Sequence, residues 1–308
     1  MIEGLGIIKI LSKSLNFKEK VSSSHWDLYH KDFKYENGVL SGLIGFGNLT
    51  KTYKGLHKKI HLLFQWIYRK KAIDPFLFNK IDKKADEITF LQNRANNLDV
   101  IRQSLTISFL NKKIDFKNVN NAIVIGDGFA SITSLLVENI LVNRVYLINL
   151  RKTLLVDLIY LKKAIGDNRF DRELILIESK ECIKSLKSRH KFVAIEAENY
   201  ELIKYLKKDL VINIASFQEM SKEIIDNYFK YIYNKSEEPF YFYLCNREEK
   251  VLPDGEKISF NNYNFHPEDQ IIVDELCPWH QYYYIKYPPF YKKYDGPARH
   301  QLRLVKNK

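Results

Sequence analysis

The stretch of sequence that most restricts the fold is residues 121–134, NAIVIGDGFASITS. Residues 122–125 are a short apolar run rich in β-branched side chains, which predicts a buried strand. Gly126 and Gly128 follow at once, and a helical pattern begins at residue 131. Strand, glycine turn and helix in this order are typical of a nucleotide-binding α/β unit, because glycines let the backbone approach a ligand and a helix start offers unpaired N–H groups. We therefore expect a nucleotide-like ligand here, the alternative being a glycine turn that only packs.

The residues around this turn indicate which class of nucleotide-like ligand it binds. A dinucleotide fingerprint requires Gly or Ala at the third small position, where this chain has Ser131. The pattern Gly-x-Gly-x-Ala, formed by Gly126, Gly128 and Ala130, fits a loop that binds S-adenosylmethionine better, since that cofactor has no pyrophosphate. The carboxylates usual in such loops are replaced, by Val124 before the first glycine and by Asn149 at the end of the second strand. Asp127 is the only carboxylate in the loop.

Composition indicates a globular protein, with 308 residues of which 45% are hydrophobic and 14% aromatic. No apolar run is long enough to span a bilayer, and no basic stretch precedes the apolar residues at the start, so we expect a cytoplasmic protein. Cys182, Cys245 and Cys277 are far apart and none lies in a CxxC pair. This spacing favours a reducing compartment and predicts no structural zinc site.

The net charge of +12 raises the question of a nucleic-acid partner. The lysines, however, are scattered in ones and twos through every segment, and no nucleic-acid-binding motif accompanies them. We therefore expect no nucleic acid as partner. Attraction to an anionic membrane surface or to an anionic glycan precursor stays open, as does a homo-oligomer.

Three regions are predicted: a helical N-terminal region at 1–118, a Rossmann-like core at 119–250, and a C-terminal substrate-side segment at 251–308 packed on the core. In the first region, residues 1–20 are predicted to form an amphipathic helix that docks on the protein itself, with contact to a membrane as the alternative. Residues 38–48 form a glycine-rich loop that lacks the Lys-Ser/Thr of a phosphate-binding loop.

Strands alternate with helices through the core, which predicts an α/β fold with a doubly wound, mostly parallel sheet of the class I methyltransferase type. The predicted strands cover residues 122–125, 144–150, 173–177, 192–195, 209–214 and 240–244. Ligands of such sheets bind at the carboxyl ends of the strands. The glycine turn, Asn149 and residues 216–219 all follow strands, so we expect them to meet on one rim. Residues 274–284 and 288–300, crowded with aromatics, prolines and histidines, are predicted to form a lid or substrate wall.

Several segments together resemble the sugar O-methyltransferases of polysaccharide and glycosylated natural-product gene clusters. The resemblance runs from about residue 96 to 304 and is carried by NNLDVIRQSLTISFL, IGDGFAS, DLVINIASFQEM, FYFYLCNREEKVLPDG, DELCPWHQYYY and PPFYKKYDGPARHQL. SFQEM and CPWH are its more specific parts. It implies S-adenosylmethionine as methyl donor and a sugar hydroxyl of a surface glycan or glycan precursor as acceptor.

Methyl transfer to a hydroxyl requires alignment of donor and acceptor and removal of a proton. His280, in CPWH, is the first choice as general base, and Glu219 is the second; His300 and Asp274 are further candidates. Each main candidate has a structural alternative: His280 as a core histidine, and Glu219 as a charge favoured at a helix start. The predicted cofactor contacts are Gly126, Asp127, Gly128, Asn149, Ser216 and Gln218. The predicted acceptor contacts are Arg102, Arg247, Trp279, Tyr282, Tyr283 and His300. No metal is expected.

Three other functions stay open. An NAD-dependent sugar oxidoreductase would share the fold, although Ser131 counts against it. A non-catalytic scaffold in glycan assembly fits the replacement of the usual carboxylates by Val124 and Asn149. An RNA methyltransferase is the function that the net charge alone would favour.

Overall fold

The computed structural model describes residues 2–13, 15, 17–45, 51–234, 238–285 and 287–306. The helices are α1 Leu5–Ser12, α2 Ser24–Tyr29, α3 Gly55–Arg69, α4 Pro75–Leu91, α5 Leu98–Lys113, α6 Ser131–Glu138, α7 Arg151–Ile165, α8 Asp167–Glu173, α9 Lys180–Lys184 and α10 Lys222–Ile232. The strands are β1 Ile2–Glu3, β2 Lys34–Glu36, β3 Val39–Ser41, β4 Asn121–Ile125, β5 Arg144–Asn149, β6 Leu174–Leu176, β7 Phe192–Glu196, β8 Leu210–Ile214, β9 Phe240–Arg247, β10 Glu249–Val251, β11 Lys257–Ser259, β12 Gln270–Leu276, β13 Tyr282–Tyr284, β14 Tyr291–Lys293 and β15 Ala298–Val305.

Within the described residues, nine strands form one sheet in the order β1-β6-β7-β5-β4-β8-β9-β15-β12. Strands β6, β7, β5, β4, β8 and β9 run parallel to one another, and β1 pairs antiparallel with β6 at the edge. The last strand, β15, runs antiparallel between β9 and β12. The predicted α/β fold with a doubly wound, mostly parallel sheet is therefore confirmed. Strand β4 lies between β5 and β8, so the chain changes direction across the sheet there and leaves a crevice at the carboxyl ends of β4 and β8.

Each face of the sheet is covered by its own apolar layer, because strand side chains alternate between the two sides. Ala122 and Val124 belong to the cluster formed with α4–α7, whereas Ile123 and Ile125 belong to the cluster formed with α10. Strands that are buried on both faces read as continuous apolar runs, which is why the sequence pattern finds them.

The N-terminal segment differs from the predicted helix over residues 1–20. The helix is limited to α1, and β1 before it pairs with β6 at the edge of the sheet. Gly4, with φ of 57°, turns the chain between them, and Asp171 accepts a hydrogen bond from the Leu5 N–H at 2.7 Å. Ile7 and Leu11 are fully buried, so α1 docks on the protein itself.

The C-terminal segment, predicted to form a lid or substrate wall, also contributes two strands to the central sheet. Strands β12 and β15 extend the central sheet, and β13 and β14 form a separate hairpin. The predicted division at residues 118 and 250 stays a prediction. The glycine-rich loop predicted at 38–48 lies outside the described residues from position 46. No helix in the described part of the chain combines the length and apolarity needed to cross a bilayer.

Candidate functional site

The glycine turn after β4 follows an unusual backbone path that requires its residues. Gly126 and Gly128 both have φ of 71°, and Phe129 and Ala130 also have positive φ values of 62° and 49°. A Cβ built on Gly126 would lie 2.0 Å from Ser216 Oγ, which follows β8. Only glycine fits at this close approach, and it brings the ends of β4 and β8 together at the crevice.

Asp127 caps the helix that follows the turn. Its carboxylate accepts hydrogen bonds from the N–H groups of Ile132 at 2.9 Å and Thr133 at 2.7 Å. These are donors that a helix start otherwise leaves unpaired. These donors are therefore already paired with a carboxyl group, and an anionic ligand would find them occupied.

A second buried carboxylate lies behind the turn. Asp157 of α7 accepts hydrogen bonds from the Ala130 N–H at 3.0 Å and from Asn149 Nδ2 at 2.8 Å. Burial raises the pKa of Asp157 well above its ordinary value, and the neighbouring Asp127 raises it further. Burial also raises the pKa of Asp127, against the lowering effect of its backbone hydrogen bonds. Two carboxyl groups in one buried place favour a cation beside them.

Arg94 is a buried cation whose charge lowers the pKa of Asp157. Its guanidinium lies 3.9 Å from the centre of the Phe129 ring, and its Nη1 donates to Gln92 at 3.1 Å. Its Nε is buried and has no hydrogen-bond partner. Burial lowers the pKa of Arg94 to about 10, so the group stays charged at neutral pH. A buried charged donor without a partner in the protein requires an explanation, and an acceptor atom of a ligand supplies one.

A cleft at the carboxyl ends of β4, β5, β8 and β9 gathers most of the predicted site residues. We call it the loop cleft; it is lined by Gly126, Asp127, Gly128, Asn149, Ser216, Gln218, Glu219, Arg94, Arg102, Arg247, His280 and Tyr294, among others. Every predicted cofactor contact and both main candidates for the general base lie on its wall.

Buried amides hold the far wall of the loop cleft. Asn213 Oδ1 accepts from the Phe217 N–H at 3.1 Å and from Asn246 Nδ2 at 2.9 Å, and Asn213 Nδ2 donates to the Ile125 carbonyl at 3.1 Å. Gln218 Oε1 in turn accepts from the Arg247 N–H at 2.7 Å. The network ties together the ends of three adjacent strands, β4, β8 and β9.

Glu219 lies beside two groups that carry or can carry positive charge. Its carboxylate is 3.2 Å from Lys250 Nζ and 3.6 Å from His25 Nε2. Burial raises the pKa of Glu219, although Lys250 lowers it. Burial, together with Lys250 and Arg247, lowers the pKa of His25 to about 4. His25 is therefore neutral at physiological pH, and the Glu219 carboxylate is the stronger proton acceptor of the two.

His280 has an environment that neither of its predicted roles anticipated. Its Nδ1 lies 3.2 Å from Cys277 Sγ and 3.5 Å from Cys245 Sγ, rather than on a backbone carbonyl. The ring borders the loop cleft, as does Cys245. Two cysteines that are 32 positions apart in sequence are thus brought together by β9 and the end of β12.

A second cleft opens beside the first. We call it the aromatic cleft; it is lined by Tyr53, His57, His61, Asn97, Leu98, Asp99, Arg102, Arg247, Tyr283, Tyr284, Ile285, Tyr294 and Asp295. The Tyr53 ring stacks on His61 with centroids 3.8 Å apart. Arg102, Arg247 and Tyr294 border both clefts, and the two guanidinium groups lie 4.9 and 5.2 Å from the Tyr294 ring.

The predicted acceptor contacts separate into two groups. Arg102, Arg247 and Tyr283 border the aromatic cleft. Tyr282 lies on neither cleft wall, and Trp279 and His300 are buried in the core. Trp279 Nε1 donates to Thr106 Oγ1 at 3.1 Å, and His300 is fully buried with Nδ1 3.1 Å from the Tyr243 hydroxyl. The aromatic pattern alone does not distinguish wall residues from core residues.

Sequence reasoning missed Asp157, Asn213 and the pair Cys245 and Cys277. Asp157 stands inside an apolar helix and Asn213 inside an apolar strand, and a polar residue at such a position is the signal that was available. The cysteine pair has only the Cys-x-x-His spacing of Cys277 and His280 as a sequence signal.

No known protein family matches this sequence, and no curated protein matches it either. Among solved structures, the methyltransferase domain of a bacterial CtHen1 is similar over 68% of this chain and 100% of its own, with 11% identity and a TM-score of 0.38. TrmK of M. capricolum in complex with S-adenosyl-homocysteine covers 65% of this chain and 68% of its own, with 18% identity and a TM-score of 0.33. A SAM-dependent methyltransferase from Archaeoglobus fulgidus covers 66% and 94%, with 12% identity and a TM-score of 0.35. Likeness of this degree assigns neither a ligand nor a reaction to this chain.

Proposed function

We propose that this protein is an S-adenosylmethionine-dependent O-methyltransferase that acts on a sugar hydroxyl of a surface glycan or its precursor. The observation that carries the proposal is the pair of buried carboxyl groups, Asp127 and Asp157, at a glycine turn whose helix start is already capped. The sulfonium and ammonium groups of S-adenosylmethionine are cations that suit this place.

The same observation argues against NAD. A pyrophosphate is bound by free N–H groups and by the positive end of a helix. Here Asp127 occupies the N–H groups of Ile132 and Thr133, so neither is free for a phosphate oxygen. The oxidoreductase alternative is therefore the weaker one for this cleft.

Other residues of the loop cleft can serve the remaining parts of the cofactor. The unpartnered Nε of Arg94 suits the cofactor's carboxylate. Asn149 lies at the end of β5, the usual position of the ribose contact, where its Nδ2 donates to Asp157 and its Oδ1 accepts from the Leu150 N–H; Ser216 and Gln218 line the same cleft. Gly126 and Gly128 keep side chains out of the space between them.

The aromatic cleft supports a sugar as acceptor. The rings of Tyr53 and Tyr283 line this cleft and are of the kind that stack on sugars, and the polar groups of His57 and Asp99 belong to the same wall. Arg102, Arg247 and Tyr294 border both clefts, so an acceptor bound among the aromatic rings would present its hydroxyl toward the loop cleft.

In the methyl transfer, the acceptor oxygen attacks the methyl carbon in line with the carbon–sulfur bond, which breaks. The hydroxyl proton has to be removed in the same reaction. We assign the proton to the Glu219 carboxylate, because its pKa is raised and it lies on the wall of the loop cleft. The products are the methyl ether, S-adenosylhomocysteine and a protonated Glu219, which returns its proton to water. His280, the first choice from sequence, is the alternative base.

The first test is calorimetric titration of the purified protein with S-adenosylhomocysteine, with NAD as the control. We expect binding of the first alone, with a micromolar dissociation constant. Binding of NAD alone would overturn the cofactor assignment, and binding of neither would favour the non-catalytic scaffold. Incubation with labelled S-adenosylmethionine and nucleotide sugars or glycan fragments, compared with RNA, then identifies the acceptor class. Contact with a membrane surface and a homo-oligomer stay predictions.

A further inference from the structure

Three side chains capable of binding a metal converge at the edge of the loop cleft. The Sγ atoms of Cys245 and Cys277 and a ring nitrogen of His280 all lie within 4.8 Å of one another. We infer that they form a binding site for a thiophilic divalent ion, Zn²⁺, with a fourth position open to the loop cleft. The inference is independent of the proposed function, because metal content is measured without cofactor or acceptor.

The separations match those of a tetrahedral zinc site. Zn–S distances of about 2.3 Å and Zn–N distances of about 2.0–2.1 Å place sulfur and nitrogen ligands roughly 3.6 Å apart at the tetrahedral angle. The observed distances from His280 Nδ1 are 3.2 Å to Cys277 Sγ and 3.5 Å to Cys245 Sγ. Small movements of the side chains are enough to admit the ion. Two thiolates and one imidazole are also a donor set that zinc uses when it keeps one position for water or substrate.

The backbone that carries these ligands is already held in place. Cys245 lies on β9, and the Cys277 N–H donates to the Ala298 carbonyl of β15 at 2.8 Å. The next residues form a tight turn, in which the His280 N–H donates to the Cys277 carbonyl at 3.1 Å. Ligands on fixed backbone lose little freedom when an ion binds.

Hydrogen bonds from neighbouring side chains stabilise the turn between Cys277 and His280. Arg102 Nε donates to the Trp279 carbonyl at 2.9 Å, and Gln281 Nε2 donates to the Cys277 carbonyl at 2.8 Å. Trp279 anchors the turn through its bond to Thr106. These contacts give Arg102 and Trp279, two residues predicted to touch the acceptor, a role in positioning the metal ligands.

The site has a closed side and an open side. Cys277 is fully buried, whereas Cys245 and His280 border the loop cleft. An oxygen ligand from the cleft can therefore complete the tetrahedron. With Nδ1 bound to the ion, the Nε2 atom of His280 keeps its proton, so His280 would be a hydrogen-bond donor in the cleft rather than a base.

The test is the metal content of the full-length protein, purified without chelators and measured by inductively coupled plasma mass spectrometry. We expect about one zinc per chain in the wild type and in the Cys182→Ser control, whose thiol lies outside the cluster. Cys245→Ser, Cys277→Ser and His280→Gln should each lose most of it, with circular dichroism confirming that they fold. Zinc retained in the Cys245→Ser/Cys277→Ser double variant would overturn the site.

A second measurement keeps the inference testable if those variants fail to fold. The wild type, stripped of metal with a mild chelator, is titrated with Co²⁺. Tetrahedral coordination by thiolates gives an intense visible absorption and a sulfur-to-cobalt charge-transfer band. Absence of these bands together with a metal-free purified protein overturns the proposal, as does a disulfide between Cys245 and Cys277 found by non-reducing mass spectrometry.

Discussion

Gly126 and Ser216 approach so closely that a Cβ on Gly126 would lie 2.0 Å from Ser216 Oγ and 2.4 Å from Ser216 Cβ. The two residues follow β4 and β8, the neighbouring strands at which the sheet changes direction. Their contact therefore sets the shape of the loop cleft at its centre, between the turn that carries Asp127 and the wall that carries Gln218 and Glu219.

Gly126→Ala should displace one of these two loops and weaken binding of S-adenosylhomocysteine by about tenfold or more, since a site 1 Å out of place loses much of its function. Gly255→Ala is the matched control. Gly255 also has a positive φ, 91°, but a Cβ there meets nothing within 4 Å, so it carries the backbone strain without the clash. Calorimetric titration measures both variants. Equal affinity in the two would show that the contact with Ser216 does not shape the site.

Cofactor binding should release protons. Burial raises the folded-state pKa of Asp127 and, with Asp127 as neighbour, that of Asp157. A raised carboxyl pKa means that the fold loses stability as pH rises from the unfolded-state pKa through the folded one. A bound cation lowers both pKa values, so the affinity for S-adenosylmethionine should rise with pH across this range. Calorimetry in two buffers of different ionisation enthalpy measures the release.

Asp157→Asn removes one of the two titrating groups and serves as the comparison. It should bind S-adenosylmethionine on the order of tenfold more weakly, because a charge-assisted contact is replaced by a neutral one. Its binding should release fewer protons than that of the wild type. Proton uptake in the wild type would contradict the electrostatic basis of the cofactor assignment.

Glu219→Gln should lower turnover by about 10²–10⁴-fold, the usual contribution of a general base, and leave the dissociation constant of S-adenosylhomocysteine nearly unchanged. In the wild type, turnover should fall as pH drops through the Glu219 pKa, which burial holds above that of an ordinary glutamate. Glu223→Gln, an exposed residue of α10, is the control and should be fully active. Turnover near the wild-type value in Glu219→Gln would overturn the assignment of Glu219 as the general base.

Tyr53→Ala should raise the KM for the acceptor and leave cofactor binding unchanged. The Tyr53 ring borders the aromatic cleft but not the loop cleft, and it stacks on His61. Loss of a stacked ring at a sugar site weakens binding by roughly 1 kcal/mol, or about fivefold. Steady-state kinetics with the acceptor varied, beside Tyr205→Ala on the exposed surface, measures the effect. An unchanged KM would place the acceptor elsewhere.

Asn213→Ala should destabilise the protein by about 3 kcal/mol, because it leaves buried backbone groups of Ile125 and Phe217 without partners. Asn143→Ala removes a hydrogen bond to Asn120 that is exposed to solvent, and should change stability little. Urea unfolding followed by circular dichroism compares the two. Equal losses would show that the amide network does not hold the strand ends together.

The core strands and the glycine turn could be predicted from local sequence. Strands β4 and β8 are apolar runs because both faces of the sheet are covered, and only a glycine-rich turn fits between β4 and α6. The rim then follows from topology, since parallel strands place their carboxyl ends on one side. This is why Asp127, Asn149, Ser216 and Glu219, read from separate segments, line one cleft.

Which aromatic side chains are buried and which line a cleft depends on distances through space, and the spacing of residues along the chain does not predict those distances. Trp279 and Tyr283 belong to one aromatic segment, yet one is buried in the core and the other borders a cleft. Periodicity does not separate them, because the segment is a turn and a short strand rather than a long regular element.

The sequence by itself therefore determined the α/β fold, the turn at Gly126 and the side of the sheet on which the loop cleft lies, because these follow from burial and backbone geometry of adjacent residues. Only the tertiary structure decided that Asp157 stands behind the turn and that Cys245, Cys277 and His280 meet. Their neighbourhood depends on how α7 packs on β5 and on the antiparallel insertion of β15 between β9 and β12. Packing of this kind brings together residues that are far apart in the chain, and a local sequence pattern does not predict it.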